Sequence, residues 1–172
     1  MRIIVRLKRR KAAFVHPLDP APRTAILAPG FAQTDRIQVF PGGWSAQARR
    51  FRPTSIAAPI NVLRELARRP VDLRHALIVF TDLRARLSES DREFLWQAFG
   101  VPVFEQCLDA RNQLVAGECE AHNGLHLWRA IPSEWQRDVE HERCACGSPG
   151  PRLVQRKLAM AAVAQGGTRL LS

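Results

Sequence analysis

The first clear periodicity in the chain is helical. Over residues 58–69, Ile60, Leu63 and Leu66 recur at the spacing that places them on one face of a helix. Pro70 follows at once, and proline ends a helix because it lacks the backbone N–H and clashes with the preceding turn. We therefore predict an amphipathic helix over residues 58–69 that packs against a core.

Two apolar runs, residues 77–80 (LIVF) and 101–105, predict buried strands. A second helix is indicated between them over residues 88–99, since Ser88 is a good N-cap and Gly100 a good C-terminal stop. The apolar face expected for this helix comprises Phe94, Leu95, Trp96, Ala98 and Phe99. Helix, strand, helix and strand with short connections are typical of a parallel sheet in an α/β layer.

The pattern changes after residue 113. Residues 114–120 and 125–128 predict two strands, and the Asn123-Gly124 pair between them is a strong hairpin signal. A polar stretch over residues 133–143 comes next. This part of the chain is therefore expected to be a β-rich lobe.

Neither end of the chain shows a long periodic pattern. Residues 1–7 predict a short strand, and residues 152–164 predict a strand followed by a helix. Residues 16–43 are rich in proline and glycine, which break both helices and ladders. We expect irregular structure there, with short strands such as residues 37–40.

These elements define an α/β fold in three parts. The expected parts are an irregular, basic N-terminal part (1–57), a parallel-sheet layer fragment (58–113) and a β-rich C-terminal lobe with the tail (114–172). A chain of 172 residues with 46% hydrophobic and 24% charged residues suits a globular protein with its own core. No run approaches the roughly 20 apolar residues of a membrane helix, and no secretory signal is evident, so we expect a cytoplasmic protein.

The formal net charge of +10 is unevenly distributed. Residues 1–69 hold 14 lysines and arginines but only three acidic residues. Such asymmetry suggests a surface that binds a polyanion, with residues 2–11 and the group Arg49, Arg50 and Arg52 as candidates, or an arm that docks on an acidic partner. A solvated, arginine-rich surface with no partner is the simpler interpretation.

Three cysteines and a histidine in the C-terminal lobe form the strongest chemical signal. Cysteines in a reducing compartment are expected to stay free, and a structural zinc site often uses three Cys and one His. The Asn-Gly hairpin would bring Cys119 and His126 to the same end of two strands. The Cys144–Cys146 turn would close over them, with Gly147 allowing the backbone to curl. We therefore predict a structural zinc ion bound by Cys119, His126, Cys144 and Cys146.

Two alternatives remain open for these residues. His122 lies in the hairpin turn and could replace His126 as the ligand. Cys119 could instead be a small buried hydrophobic residue, with Cys144 and Cys146 close together in a loop by chance.

Two further groups of residues could carry chemistry. Cys107 could act as a nucleophile with His75 and Asp109, although a packed thiol at the end of a strand is the simpler interpretation. Glu118 and Glu120 alternate about Cys119, which suits either general acid–base work or, more simply, a solvated strand face.

The chain over residues 73–153 resembles the phenylacetate–CoA ligase branch of the AMP-forming acyl-CoA synthetases. The resemblance is carried by residues 99–105 (FGVPVFE), 117–126 (GECEAHNGLH), 144–147 (CACG) and 151–153 (PRL). It implies the α/β core of that family, and it also implies zinc at the Cys/His positions.

The same comparison shows departures at the positions that perform adenylation. No Ser/Thr/Gly-rich phosphate loop is evident, and the turn after the LIVF strand reads Thr81-Asp82-Leu83. The loop of the Tyr-Gly-x-Thr-Glu type expected after Glu105 is replaced by QCLDA. The family's C-terminal domain, with its catalytic lysine, has no counterpart. Because activation of a carboxylate depends on oriented donors and Mg²⁺ around the phosphates, we expect no adenylation.

The function expected is therefore that of a non-catalytic, zinc-binding accessory or interaction protein derived from an adenylate-forming CoA ligase. Its partner would be a full-length synthetase or a carrier protein. Two other functions stay open, namely a polyanion-binding (nucleic-acid) module that uses the basic N-terminal segment, and a residual acyl-CoA ligase-like enzyme or subunit.

Overall fold

The computed structural model describes residues 11–154, which contribute nine strands to one sheet. Five strands are parallel: β1 (Thr24–Ile26), β2 (Ile37–Val39), β3 (Ser55–Pro59), β4 (Ala76–Thr81) and β5 (Val103–Leu108). Four further strands are antiparallel: β6 (Leu114–Gly117), β7 (Leu125–Leu127), β8 (Val139–Glu140) and β9 (Arg152–Leu153). The spatial order is β2-β1-β3-β4-β5-β6-β7-β9-β8.

Three helices cover one face of the parallel strands. They are α1 (Ala46–Phe51), α2 (Ile60–Leu66) and α3 (Glu89–Phe99). Their buried residues, including Ala48, Leu63 and Leu95, belong to one core with Leu77 and Val79 of β4. The three connections from β2 to β5 all run in the same direction along the sheet. Because each crossover is right-handed, the three helices lie on the same face.

The opposite face is covered by the loops that surround β1. Phe14 and Phe31 lie on Phe80 there, with Phe31 and Phe80 stacked at 5.1 Å between ring centroids. Phe104 of β5 and Ile78 of β4 complete this second core. The connection from β1 to β2 runs in the opposite direction to the others, so Phe31 is brought to this face.

The antiparallel strands carry a smaller core. The antiparallel pairing predicted around Asn123-Gly124 is present, with Ala116 opposite Leu127 and Gly117 opposite His126. The expected tight turn is not, because β6 ends at Gly117 and seven residues connect it to Leu125. A 3₁₀ helix (Ser133–Asp138) follows β7. The buried members of this third core are Cys107, Val115, Ala116, Leu125, Ile131 and Leu153.

The expectation of an irregular part up to residue 57 is wrong for β1 and β3, whereas the short strand expected over residues 37–40 is confirmed as β2. Ser55 to Pro59 form a strand between β1 and β4, so β3 takes up the first two residues of the predicted helix, which begins at Ile60. The signal was weak because Ala57 and Ala58 have little intrinsic preference for strands. Pairing on both sides decides their conformation.

The helix predicted from Ser88 is confirmed together with both of its caps. The Ser88 hydroxyl accepts a hydrogen bond from the Asp91 N–H at 3.1 Å, and Gly100 ends the helix with φ 65°. Only Leu95 and Phe99 are buried, whereas Phe94 and Trp96 are 45% and 53% exposed. The predicted apolar face was therefore too wide. Successive residues are about 100° apart around a helix axis, so the neighbours of Leu95 in the sequence point away from the core.

The sheet continues across both predicted boundaries, at 57/58 and 113/114, and the division into parts stays a prediction. The strand expected over residues 1–7 and the helix expected after residue 154 lie outside the described residues. Among residues 11–154, no helix is long and apolar enough to cross a bilayer.

Candidate metal centre

The four predicted ligands come from three separate segments of the antiparallel part. Cys119 lies two residues beyond the end of β6, and His126 is the middle residue of β7. Cys144 and Cys146 lie in the loop between β8 and β9. Because β9 pairs with β7, this loop returns beside His126. The topology therefore brings the three segments to one point.

The ligand atoms of the four side chains all lie within 4.8 Å of one another. The Sγ atoms of Cys119 and Cys144 are 3.6 Å apart, and Sγ of Cys146 is 3.4 Å from Nε2 of His126. Zinc bonds of about 2.3 Å to sulfur and about 2.0–2.1 Å to nitrogen give tetrahedral edges of roughly 3.8 Å and 3.5 Å. The cluster therefore has the size of a tetrahedral site and could hold a metal ion.

The backbone around the Cys144–Cys146 turn suits thiolate ligands. Gly147 adopts φ +82°, a left-handed conformation that lets the chain reverse directly after Cys146. Its N–H donates to the Cys144 carbonyl at 2.9 Å. The Ser148 N–H points at Sγ of Cys146 at 3.5 Å. Such an N–H is placed to stabilise negative charge on sulfur.

The cluster contains His126 and excludes His122. His122 stacks on Phe104 at 4.6 Å between ring centroids, and its Nδ1 lies 3.7 Å from a carboxylate oxygen of Glu118. The ring is therefore directed at the parallel strands rather than at the three cysteines.

Glu118 has a structural role that the sequence interpretation missed. It is only 7% exposed, so the expected solvated strand face is wrong at this position, whereas Glu120 is exposed. The Glu118 carboxylate accepts hydrogen bonds from Arg92 at 2.8 and 3.1 Å and from the Glu105 N–H at 2.7 Å. These contacts fix the backbone next to Cys119 to both α3 and β5.

The Glu118 contacts also decide its charge. Burial favours the protonated form, but the neighbouring His122 ring and the positive charge and hydrogen bonds of Arg92 outweigh it, so the pKa of Glu118 lies below its usual range. The carboxylate is therefore ionised at neutral pH and forms a buried ion pair with Arg92.

Arg152 performs a similar role on the other side of the cluster. It is 2% exposed, and its Nη1 donates to the Asn123 carbonyl at 2.6 Å. Its Nη2 lies 3.5 Å from a carboxylate oxygen of Glu140. Arg152 thereby joins the hairpin turn next to His126 to both strands that flank the cysteine loop. Its partners lie 12 and 29 positions away in the sequence, which is why no local pattern indicated them.

The cysteines of the cluster differ in their acid–base properties. Burial raises the pKa of the Cys119 thiol to about 12. Hydrogen bonds from Ser148 lower the pKa of the Cys146 thiol to about 6. A bound divalent cation favours the thiolate form of every cysteine that contacts it.

The nucleophile hypothesis for Cys107 is not supported by its surroundings. Burial raises the pKa of the Cys107 thiol to about 12, so it is protonated at neutral pH. Cys107 pairs with Thr81, the last residue of β4, whereas His75 precedes the first residue of that strand. A strand of six residues spans about 20 Å, which separates the proposed base from the thiol. The carboxylate of Asp109 accepts backbone N–H groups of its own turn.

Comparison with known proteins points to a fold class. A structure of 2-hydroxyisobutyryl-CoA ligase, in an open conformation with 2-HIB-AMP and CoA, aligns with 80% of this chain at 14% identity and a TM-score of 0.55. The alignment covers 45% of the ligase, so the chain spans less than half of its length. The fold is therefore CoA-ligase-like, without distinguishing the phenylacetate branch from others.

The same ligase in its postadenylation state, in complex with R3-HIB-AMP, aligns with 78% of this chain and 43% of the ligase, at 14% identity and a TM-score of 0.48. No protein-family model and no curated protein sequence matches the chain.

Proposed function

We propose that the protein is a non-catalytic accessory protein, derived from an adenylate-forming CoA ligase, whose antiparallel part is held together by a structural zinc ion. The ligands are Cys119, His126, Cys144 and Cys146. The observation that carries the proposal is the convergence of these four ligand atoms within 4.8 Å, from segments up to 27 positions apart.

Zinc is the metal favoured by this donor set. Three thiolates and one imidazole are typical of structural zinc sites, and the soft sulfur ligands disfavour magnesium and calcium. Four protein ligands complete a tetrahedron and leave no open position for water or substrate. The metal is therefore assigned a structural role rather than a catalytic one.

A bound metal would also stabilise the antiparallel strands, which have only a small apolar core. The antiparallel strands contain two to four residues each, and six residues form their buried core. Ordering the 40 residues from 114 to 153 around so small a core costs much conformational entropy. A metal that joins the β6–β7 hairpin to the loop before β9 supplies the missing stability, because binding of structural zinc is coupled to folding.

The absence of catalysis is supported by the residues where the ligase resemblance expects its chemistry. The residues after Glu105 are Gln106, Cys107 and Leu108, which continue β5, followed by Asp109 and Ala110, in place of the Thr-Glu pair. The Glu105 carboxylate, inside β5, already accepts hydrogen bonds from the Thr81 hydroxyl, Arg86 and the Leu87 N–H, at 2.8 to 3.1 Å. Because its lone pairs are occupied by these hydrogen bonds, we assign the Glu105 carboxylate a structural role rather than a catalytic one.

Adenylation is tested by pyrophosphate exchange with ATP, Mg²⁺ and a panel of aryl and short acyl acids. We expect no exchange above that of a heat-inactivated sample and no ATP binding by calorimetry. Exchange clearly above that background would replace this proposal with the residual-ligase alternative.

The accessory role is tested separately. The partner that we propose is a full-length acyl-CoA synthetase or a carrier protein, in the cytoplasm, where the cysteines stay reduced. Purified protein is titrated into a synthetase and a carrier protein from the same organism, and complex formation is measured by calorimetry. Binding of neither class would contradict the accessory role while leaving the metal centre intact.

A further inference from the structure

The N-terminal ends of four parallel strands form a row at one edge of the sheet. The Thr24 N–H donates to the Arg36 carbonyl at 2.8 Å, and the Thr54 N–H donates to the Arg23 carbonyl at 2.8 Å. The Arg74 N–H donates to the Thr54 carbonyl at 3.1 Å. Strands lie about 4.8 Å apart, so the row from Arg36 to Arg74 is roughly 14 Å long.

Helix α1 adds arginines to the same edge. It ends at Phe51, just before β3 begins, so its last turn lies near the start of that strand. The Arg23 guanidinium donates to the Phe51 carbonyl and lies over the Phe51 ring at 4.6 Å. The strand starts and the end of this helix therefore form one continuous surface. We call it the basic edge; its members are Arg23, Arg36, Arg49, Arg50, Arg52 and Arg74.

The basic edge carries a large excess of positive charge. All six arginines are exposed. Within residues 11–154, the only salt bridge that any of them forms joins Arg74 to Asp72, at 3.4 Å, with both side chains more than 70% exposed. Such an exposed pair contributes little. Asp35, next to Arg36, is the other carboxylate beside these strand starts.

Topology rather than sequence creates this surface. Its members span 52 positions, and only Arg49, Arg50 and Arg52 are close together in the chain. Parallel pairing brings Arg23, Arg36 and Arg74 beside them. Ligands of open α/β sheets generally bind at the carboxyl ends of the strands. The basic edge lies at the amino ends, so it is separate from the usual ligand site of such a sheet.

We propose that the basic edge binds the phosphate backbone of nucleic acid, independently of the metal centre. Guanidinium groups match phosphate oxygens in planar, paired hydrogen bonds. The arginines are aligned over a length that spans several phosphates. The aromatic ring at this edge, Phe51, is covered by Arg23, so the contact is with phosphates rather than with stacked bases.

The test uses the full chain and fluorescence anisotropy with a labelled 20-nucleotide RNA and a 20-base-pair DNA duplex. For about four phosphate contacts, the affinity for duplex should fall roughly 100-fold between 50 and 200 mM salt. The variant Arg36→Gln/Arg52→Gln/Arg74→Gln should lower affinity at least about tenfold at 50 mM salt and reduce the salt slope by about three.

A matched control removes the same charge elsewhere. Arg111, Arg129 and Arg137 are exposed in the antiparallel part, and their replacement by glutamine should change affinity less than about threefold. Both variants retain residues 2–11, so binding that survives the first variant would assign the contact to that segment and overturn the proposal. Equal losses in the two variants, no salt-dependent binding by the native chain, or binding to phosphatidylserine vesicles but to neither nucleic acid would each overturn it as well.

Discussion

The parallel and antiparallel halves of the sheet are stabilised in different ways. The parallel strands β1 to β5 lie between two apolar cores, one beneath three helices and one beneath the loops around Phe31. The antiparallel strands β6 to β9 share one small core, and they are held by the buried Arg152, the half-buried Arg92 and the Cys/His cluster. Non-directional burial stabilises the first half, whereas specific polar contacts, together with the proposed metal, stabilise the second.

This difference decides which substitutions each half tolerates. An apolar core accepts many residues of similar volume, because burial depends mainly on area. A metal site or a buried ion pair requires particular atoms at particular distances, and removing one partner leaves the other buried without compensation. The antiparallel half should therefore be the half whose order depends on single residues.

Removing the metal should produce the largest effect. We expect 1,10-phenanthroline to accelerate amide hydrogen exchange across residues 115–153 by about 100-fold or more, since their protection depends on the metal cross-link. Residues 76–81 of β4 should keep their protection, because two apolar cores cover them. Proteolysis should begin within residues 133–143.

Added zinc serves as the control for metal removal and should restore the slow exchange. Equal loss of protection in β4 and β7 would show one cooperative unit and contradict the division into two halves. If the chelator left hydrogen exchange unchanged at all residues, the claim that a metal stabilises the antiparallel half would be wrong.

Glu118→Gln should give the next largest effect. The substitution leaves the Arg92 guanidinium without its charge partner, and a broken buried ion pair costs about 3–5 kcal/mol. We expect a loss of about 3 kcal/mol in the free energy of unfolding by urea, since Arg92 is partly exposed. Glu120→Gln, two positions away and exposed, should stay within about 0.5 kcal/mol. Similar losses of unfolding free energy in the two variants would indicate that Glu118, like Glu120, lies on a solvated strand face.

A smaller effect is expected from Gly124→Ala in the hairpin turn. Gly124 has φ +80°, and an added Cβ would lie 2.8 Å from the Leu153 carbonyl oxygen, which is backbone of β9 and cannot move freely. We expect a loss of about 1–3 kcal/mol by thermal melting. Gly42→Ala is the matched control, because no atom lies within 4 Å of its added Cβ. A Gly124 variant as stable as the Gly42 variant would contradict close packing of the hairpin against β9.

Thiol reactivity should distinguish the halves without any substitution. The pKa of Cys107 is raised to about 12 by burial, so its thiolate fraction at pH 8 is only about one in ten thousand. We expect iodoacetamide to leave Cys107 unmodified in the native chain, with or without chelator. The other three cysteines should react only after metal removal, as read by mass spectrometry of peptides. Rapid labelling of Cys107 in the native chain would contradict its packing between β4 and β6.

The sequence predicted those elements whose signals are local. The LIVF strand, the caps Ser88 and Gly100, and the Asn-Gly hairpin were all recognisable because each depends on neighbouring residues. β2 was expected over residues 37–40, whereas β1 and β3 were missed because their partners are distant in the chain. Pairing with those partners, rather than local preference, sets their conformation.

The cluster was predictable for a different reason. Cys and His are few, and their chemistry restricts what they do together, so four positions in one lobe were sufficient to predict a site. The residues that support the cluster were not predictable. Arg92 lies 26 positions from Glu118, and Arg152 lies 29 positions from Asn123. Arginine and glutamate are common at surfaces, so only the fold shows that Glu118 and Arg152 are buried and that Arg92 is half-buried.

The most direct test of the account is the metal content of the purified full chain, measured by inductively coupled plasma mass spectrometry. We expect about one zinc per chain, as a single tetrahedral site requires. Cys144→Ser and Cys146→Ser should each lose most of this zinc, while Cys107→Ser should retain it. A native chain without zinc after expression in zinc-supplemented medium, or undiminished zinc in the Cys144→Ser and Cys146→Ser variants, would contradict the central claim.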